Sequence, residues 1–295
     1  MELRHLRYFC VVAEELNLTR AAQRLHMAQP PLTRQIKQLE SELGTALFRR
    51  HARGLALTPT GQFFHEHALQ ILEKVDSTVL ATRRLARSGR QVFAIGFVPS
   101  IFYSELPLLI RQLRQKEEVE LTLSELTTVQ QIQALKAGRI DIGFGRLRID
   151  DPEVEQEVLF DEPIIAALPA THPLVGTTPT LSELAGTPLI VYPATPRPSY
   201  ADIVLGLFRR RGLKVNVIQE ANELQTAIGL VASEMGFTLV PEQVQRLQRD
   251  DIAYAPLAES GLTSPILCSR RKEPPSAMMH QVNGMLRKVW RKRTV

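Results

Sequence analysis

Apolar residues recur at helical spacing through the first third of the chain. Leu6, Phe9, Cys10, Ala13 and Leu16 fall on one face of residues 3–16, which predicts a first helix. Thr19 reads as the N-cap of a short second helix whose Ala21, Ala22 and Leu25 face the first. A turn at His26-Met27-Ala28 leads into Gln29-Pro30-Pro31-Leu32. Two prolines suit a helix only in its first turn, where their missing N–H groups leave no bond unmade. Leu32, Ile36, Leu39 and Leu43 then line one face of a third helix, Thr33, Arg34 and Lys37 stand opposite, and Gly44 ends it. Two short apolar segments around Arg53-Gly54 predict a β-hairpin. From Thr58 to Arg87, the residues Phe64, Ala68, Ile71, Leu72, Val75, Val79, Thr82 and Ala86 predict one long helix. At about 28 residues it would span roughly 42 Å. A stripe of that length outruns what a small module can cover, so it favours a partner helix and a dimer. Ser88-Gly89-Arg90 reads as a hinge.

From residue 91 the pattern alternates between strand and helix. QVFAIGFV predicts a buried strand, a helix carrying Leu106, Leu109, Ile110 and Leu113 follows, and ELTLSEL predicts the next strand. Thr127-Thr128 opens a helix with Ile132 and Leu135, Gly138 closes it, and IDIGFG is strand-like. This alternation implies an α/β domain with a parallel sheet. A second set follows: EPIIAALP, TLSEL, PLIVYP, SYADIVLGLFRRRG, VNVIQEA, ELQTAIGLVASEMG and FTLVPE, with late strands IAYAPL and SPILCSRR and a helix near 275–292.

Charge sharpens this division. Residues 1–90 carry 14 Lys+Arg against 8 Asp+Glu, whereas residues 91–295 carry 22 against 23. The excess positive charge therefore belongs to the helical first third, which suits nucleic acid or an anionic membrane. No apolar run approaches a membrane span and no secretory-type apolar segment opens the chain, so a cytoplasmic location without membrane attachment is expected. Cys10 and Cys268 lie far apart in apolar stretches and read as packed, reduced thiols. His65 and His67 fall on different helix faces, so no metal site is expected.

Two small-residue helices, a tight turn and a third helix with a cationic face match the helix-turn-helix plan, in which the later helix enters the major groove. On that plan Gln29, Thr33 and Arg34 reach base edges and Lys37 meets phosphate. Thr19, Arg20, Pro30 and Pro31 complete the DNA-facing set, and Arg53 at the hairpin tip suits a minor groove. Cations gathered around a groove-fitting helix favour DNA over a membrane surface.

In the body, Ser100, Thr128 and Ser199 stand at helix starts beyond strand ends, where α/β sheets hold ligands. Helix N-termini converging there favour a carboxylate, with Arg146 and Arg148 as balancing charge. Each hydroxyl alone is more often an ordinary cap. The sequence lacks G-x-S-x-G, H-E-x-x-H, a P-loop and G-x-G-x-x-G, so neither catalysis nor a cofactor is expected.

ELRHLRYF, LTRAA, AQPPLTRQIKQLE, LGTALFRR and LTPTG together resemble the winged helix-turn-helix of LysR-type transcriptional regulators. IGFVPS, LKAGRIDIGFGRLRIDDP, YPATPRPSYAD and NELQTAIGLVA are similar to the family's CatR/CatM/BenM group. The resemblance implies an α+β two-part chain. Residues 1–58 would form the winged helix-turn-helix, residues 59–90 a dimerising linker helix and hinge, and residues 91–295 a two-lobed, periplasmic-binding-protein-like effector domain. Lobe one would hold about 91–162 plus 266–295, and lobe two about 163–265. The implied activity is activation of catechol and benzoate degradation genes when cis,cis-muconate binds between the lobes. The implied partners are promoter DNA, RNA polymerase and further copies, assembled as a tetramer of two dimers. The resemblance places the muconate carboxylates at Ser100 and Thr128. Arg146 would add charge, Ser199 and Tyr200 backbone N–H help, Pro198 a further contact, and Leu224 and Ile266 the cleft wall. Benzoate-sensing members carry an Arg where this chain has Phe160, which argues against benzoate. A chloromuconate or another small carboxylate suits the same residues; a ligand-independent DNA binder would leave the long body without a purpose.

Overall fold

The computed structural model describes residues 1–51, 54–88 and 90–290. Arg53, the expected hairpin-tip cation, and Gly89 of the expected hinge lie outside the described residues. The chain divides into two compact units near Arg83.

The first unit opens with helices α1 (Leu3–Glu15), α2 (Leu18–Arg24) and α3 (Gln29–Leu43). Strands β1 (Phe48–His51) and β2 (Gly54–Leu57) follow as an antiparallel hairpin, and α4 runs Pro59–Ser88. Phe9 centres its core, 5.2 Å from the Phe48 ring and 5.0 Å from that of Phe64. Ala21 and Ala22 are buried, so α1 and α2 approach closely. The expected N-cap is corrected: Asn17, not Thr19, caps α2, its Oδ1 accepting from Thr19 N at 2.9 Å and Arg20 N at 3.1 Å. Leu16 and Leu43 are exposed rather than buried, because α1 ends with Leu16 in the left-handed region and α3 ends at Gly44. Glu40 joins the hairpin to α3 by accepting from Leu47 N at 2.8 Å and Phe48 N at 3.1 Å. Along α4, Ala68 is buried and Phe64 and Leu72 pack on the core, but Phe63, Ile71 and Val79 are exposed.

The second unit contains β3 (Gln91–Phe97), α5 (Leu106–Arg114), β4 (Val119–Glu125), α6 (Thr128–Lys136), β5 (Ile142–Gly145) and β6 (Val154–Pro169). It continues through α7 (Leu181–Leu184), β7 (Leu189–Val191), α8 (Tyr200–Arg209), β8 (Val217–Glu220) and α9 (Leu224–Ala232). Strands β9 (Thr238–Pro241), β10 (Ile252–Pro256) and β11 (Thr263–Arg271) precede α10 (Ala277–Trp290). The main sheet has the order β10-β6-β11-β5-β3-β4, with β9 also on β6. Only part of it is parallel: β3 runs with β4 and β5, while β6 and β11 are antiparallel to their neighbours. The physical reason is β6, whose 16 residues cross the whole unit. Its first half pairs with β11 and its second half with β9 and β10. Two separate apolar cores form around these halves. One gathers Phe93, Ile95, Phe144, Ile266, Cys268 and Trp290, and the other Ile164, Leu189, Phe208, Leu224 and Phe237.

Both cysteines are buried and unpaired. Burial, helped by Glu14, pushes the Cys10 thiol up to about 11, and burial pushes Cys268 to about 12, so neither is a thiolate at neutral pH. Among the described residues no group of His, Cys, Asp and Glu could hold a metal ion, and no helix is long and apolar enough to cross a membrane.

Candidate functional site

Between the two lobes of the second unit lies a cleft of about 260 Å³. Lobe one brings Ser100, Leu126, Thr128 and Arg146 to it, and lobe two brings Tyr192, Ser199, Tyr200 and Leu224. Ser100 sits in a 3-10 turn that follows β3, Thr128 opens α6, and Arg146 follows β5. All three are strand-to-helix or strand-end positions, and all are buried.

Arg146 ties them together. Its Nε donates to Ser100 Oγ at 2.7 Å, and its backbone N–H to Thr128 Oγ1 at 3.1 Å. Its Nη2 donates to Glu162 Oε2 at 2.6 Å, and both groups are essentially without solvent exposure. Arg146 is therefore not a spare balancing charge; the Glu162 carboxylate already neutralises it. Sequence reasoning missed Glu162. The signal was an acid inside the apolar stretch VLFDEPIIAAL, where a charge needs a buried partner.

Ser100 and Thr128 each accept from Arg146 and keep a hydroxyl hydrogen to donate. Ser199 differs. Its hydroxyl donates to Pro193 O at 2.8 Å and accepts from Ala201 N at 3.2 Å, and its N–H goes to Asp202 Oδ2 at 2.7 Å. It is the cap of α8 and has no further donor, which corrects its expected ligand role. Pro198 is exposed and does not line the cleft. Ile266 lies in the lobe-one core, fully buried opposite Phe160 in the β6–β11 register, and does not wall the cleft. Leu224 and Tyr200 do line it. Arg148 is exposed and stands outside the lining.

Two acids in the lining come from opposite lobes, Glu125 at the end of β4 and Glu223 before α9. Burial, and then the charge of Glu223, raises Glu125 above the usual carboxylate value. A raised carboxylate gives the fold stability that is present below its unfolded pKa and is lost as pH rises through its folded one. Glu125→Gln should flatten this part of the pH dependence of unfolding. It should also strengthen dianion binding about threefold at low salt, measured by titration calorimetry.

In the first unit, Gln29, Pro30, Arg34 and Lys37 are exposed on α3, and Thr19 and Arg20 on α2. Among the described residues no ion pair occupies Arg34 or Lys37, whereas Arg20 is held by Glu15 at 2.7 Å. Pro31 and Thr33 are half-buried, and the Thr33 hydroxyl donates to Gln29 O at 3.0 Å within the helix.

Comparison with known proteins decides what this pair of units is. Residues 3–62 match the family of bacterial regulatory helix-turn-helix proteins, lysR family, and residues 86–291 match the LysR substrate binding domain. The chain belongs to the LysR family. It is a DNA-binding transcriptional regulator, not an enzyme. It is 56% identical over 281 residues to the regulator CatR of Pseudomonas putida, covering 95% of this chain and 96% of that relative. It is 39% identical to BenM of Acinetobacter baylyi, covering 98% and 96%. Among solved structures, full-length BenM superposes with a TM-score of 0.65 at 38% identity, covering 100% of this chain and 98% of that one. Full-length CbnR complexed with target DNA gives 0.70 at 32%, covering 98% and 100%.

Proposed function

We propose that this LysR-family regulator activates aromatic (catechol and benzoate) degradation genes when cis,cis-muconate occupies the cleft between its lobes. The observation that carries the reading is the cleft itself. Ser100 in the turn after β3 and Thr128 at the head of α6, both fixed by Arg146, present hydroxyl donors beside apolar walls from Leu126 and Leu224. That arrangement suits a slender carboxylate, and the likeness to CatR of Pseudomonas putida supports muconate as its identity. Benzoate is the effector named for the solved BenM effector-binding domain. Here Phe160 packs against the lobe-one core where a cation would be wanted, so benzoate is a poor effector.

On this reading the regulator acts in the cytoplasm. The exposed Ile71 and Val79 of α4 seat a second copy, and further contacts through the sensing lobes complete a tetramer of two dimers. Paired α3 helices contact promoter DNA through Gln29, Thr33, Arg34 and Lys37, and Arg53 adds a contact. Muconate stabilises one arrangement of the lobes over another and so alters DNA bend and contact with RNA polymerase. It does this only through different affinity for the two states. Footprinting with and without muconate tests the coupling; an unchanged footprint at saturating muconate contradicts it. Arg34→Ala should weaken specific promoter binding by about 2 kcal/mol and leave non-specific binding in place. Equal losses on competitor DNA would contradict a base-reading role for Arg34.

A further inference from the structure

β3 and β5 repeat one pattern at their carboxyl ends. Ile95-Gly96-Phe97 and Ile142-Gly143-Phe144 lie side by side in the parallel register, with Gly96 opposite Gly143. The two glycines leave a bare patch on the sheet, and Gln131 of α6 lies over it. A Cβ at Gly143 would fall 2.7 Å from Gln131 Oε1, and one at Gly96 would come 3.3 Å from its Cγ. Gln131 is fully buried and does not line the cleft.

Its Nε2 donates to Leu126 O at 2.8 Å and to Phe144 O at 3.0 Å. Leu126 N in turn donates to Phe97 O at 2.9 Å, and Val98 N to Phe144 O at 3.0 Å. One side-chain amide therefore fastens the ends of β4 and β5, with the end of β3 between them. Each carbonyl it holds lies two residues before a cleft residue, Leu126 before Thr128 and Phe144 before Arg146. Packing alone does not call for an amide here. Phe144 O already has the Val98 N–H, and Gln131 Oε1 is enclosed without a partner among the described residues. A buried acceptor left unmet costs stability, and a methionine of the same length would fill the patch without that cost.

We propose that Gln131 is a positioning residue for effector binding, which sets the Thr128 hydroxyl and Arg146 at their working distance without touching the effector. The inference rests on the dicarboxylate reading above and deepens it. A carboxylate shared by Ser100 and Thr128 needs both hydroxyls in place together, and Arg146 holds both. Binding groups of this kind must be kept within about 0.5 Å of their productive geometry by the residues behind them.

Titration calorimetry of the full chain with cis,cis-muconate tests this, beside thermal melting and promoter binding. It compares the wild type with Gln131→Met and Gln131→Glu at about pH 6 and about pH 9. Gln131→Met should bind muconate about tenfold more weakly at both pH values, with muconate-free promoter binding unchanged. Gln131→Glu should behave differently at the two. Protonated at the lower pH, its acid donates to one carbonyl and should bind muconate within about threefold of the wild type. Ionised at the higher pH, it repels both carbonyl oxygens and should bind at least about tenfold more weakly. A merely structural role would shift the melting temperature and leave the affinity of the folded protein alone. Wild-type affinity in Gln131→Met overturns the proposal, as does a Gln131→Glu protein no tighter than Gln131→Met at the lower pH. Gly143→Ala reaches the same amide from the sheet, because the mobile end of Gln131 is what its methyl would displace. It should weaken muconate binding too, and unchanged affinity in that folded variant overturns the proposal independently. If the wild type binds neither muconate nor chloromuconate, the dicarboxylate reading falls, and this proposal with it.

Discussion

Glu162→Ala should destabilise the second unit by about 3–5 kcal/mol, the largest effect expected of any single substitution in the cleft. The carboxylate is fully buried and bridges the lobes. Oε2 accepts from Arg146 of lobe one at 2.6 Å, and Oε1 accepts from Gln243 N of lobe two at 2.7 Å. Its removal leaves a guanidinium in the interior with only the Ser100 hydroxyl and longer contacts to Ser264 at 3.4 and 3.5 Å. It also strands the Gln243 N–H. For a unit of this size the melting temperature should fall by about 10 °C. Replacing both partners with apolar residues should recover most of that loss, because the penalty comes from an unpaired buried charge rather than from a missing attraction. Urea unfolding of the single and double variants checks this. A single-variant loss below about 1 kcal/mol, or no recovery in the double variant, would sink it.

Gly61→Ala should cost the first unit about 3 kcal/mol, at the upper end of overpacking effects, and should abolish DNA binding. A Cβ at Gly61 would fall on the Leu47 carbonyl oxygen, with Leu47 C at 2.9 Å and Leu57 Cδ2 at 3.1 Å. The Leu47 peptide has little room to retreat. Its oxygen accepts from Thr58 N at 2.9 Å and its N–H is held by Glu40 at 2.8 Å. Thr58 Oγ1 in turn donates to Ala46 O and accepts from Gly61 N, which fastens the start of α4 to the hairpin. This gives the segment Leu57-Thr58-Pro59-Thr60-Gly61 a physical role in setting the hairpin against the helices. Circular dichroism melting checks the fold. A melting curve and DNA affinity matching the wild type's would contradict the close approach.

Much of the architecture was legible because apolar spacing, prolines and glycines agree locally. The proline-led α3 and the β5 segment Ile142–Gly145 lie where the pattern puts them. The length of β6 was not legible, since the spacing gives a strand only for EPIIAALP, and VEQEVLFD before it carries three acids without a strict period of two. Thr19 and Asn17 both suit a cap, and only the backbone path chooses Asn17. Leu43 continues the stripe of α3 by spacing, but Gly44 turns the chain away before anything covers it. In the cleft, Ser100, Thr128 and Arg146 were readable as residues just beyond strand ends. Glu162 was not, because a buried partner is a property of the packed lobes.

The central claim is that the cleft senses a dicarboxylate. Its most direct test is titration of the full chain with cis,cis-muconate, chloromuconate and benzoate, beside the Ser100→Ala and Thr128→Val variants. The account predicts saturable muconate binding that exceeds benzoate binding and is lost in both variants while DNA binding survives. Absence of binding to either muconate, or binding untouched by both substitutions, would contradict it.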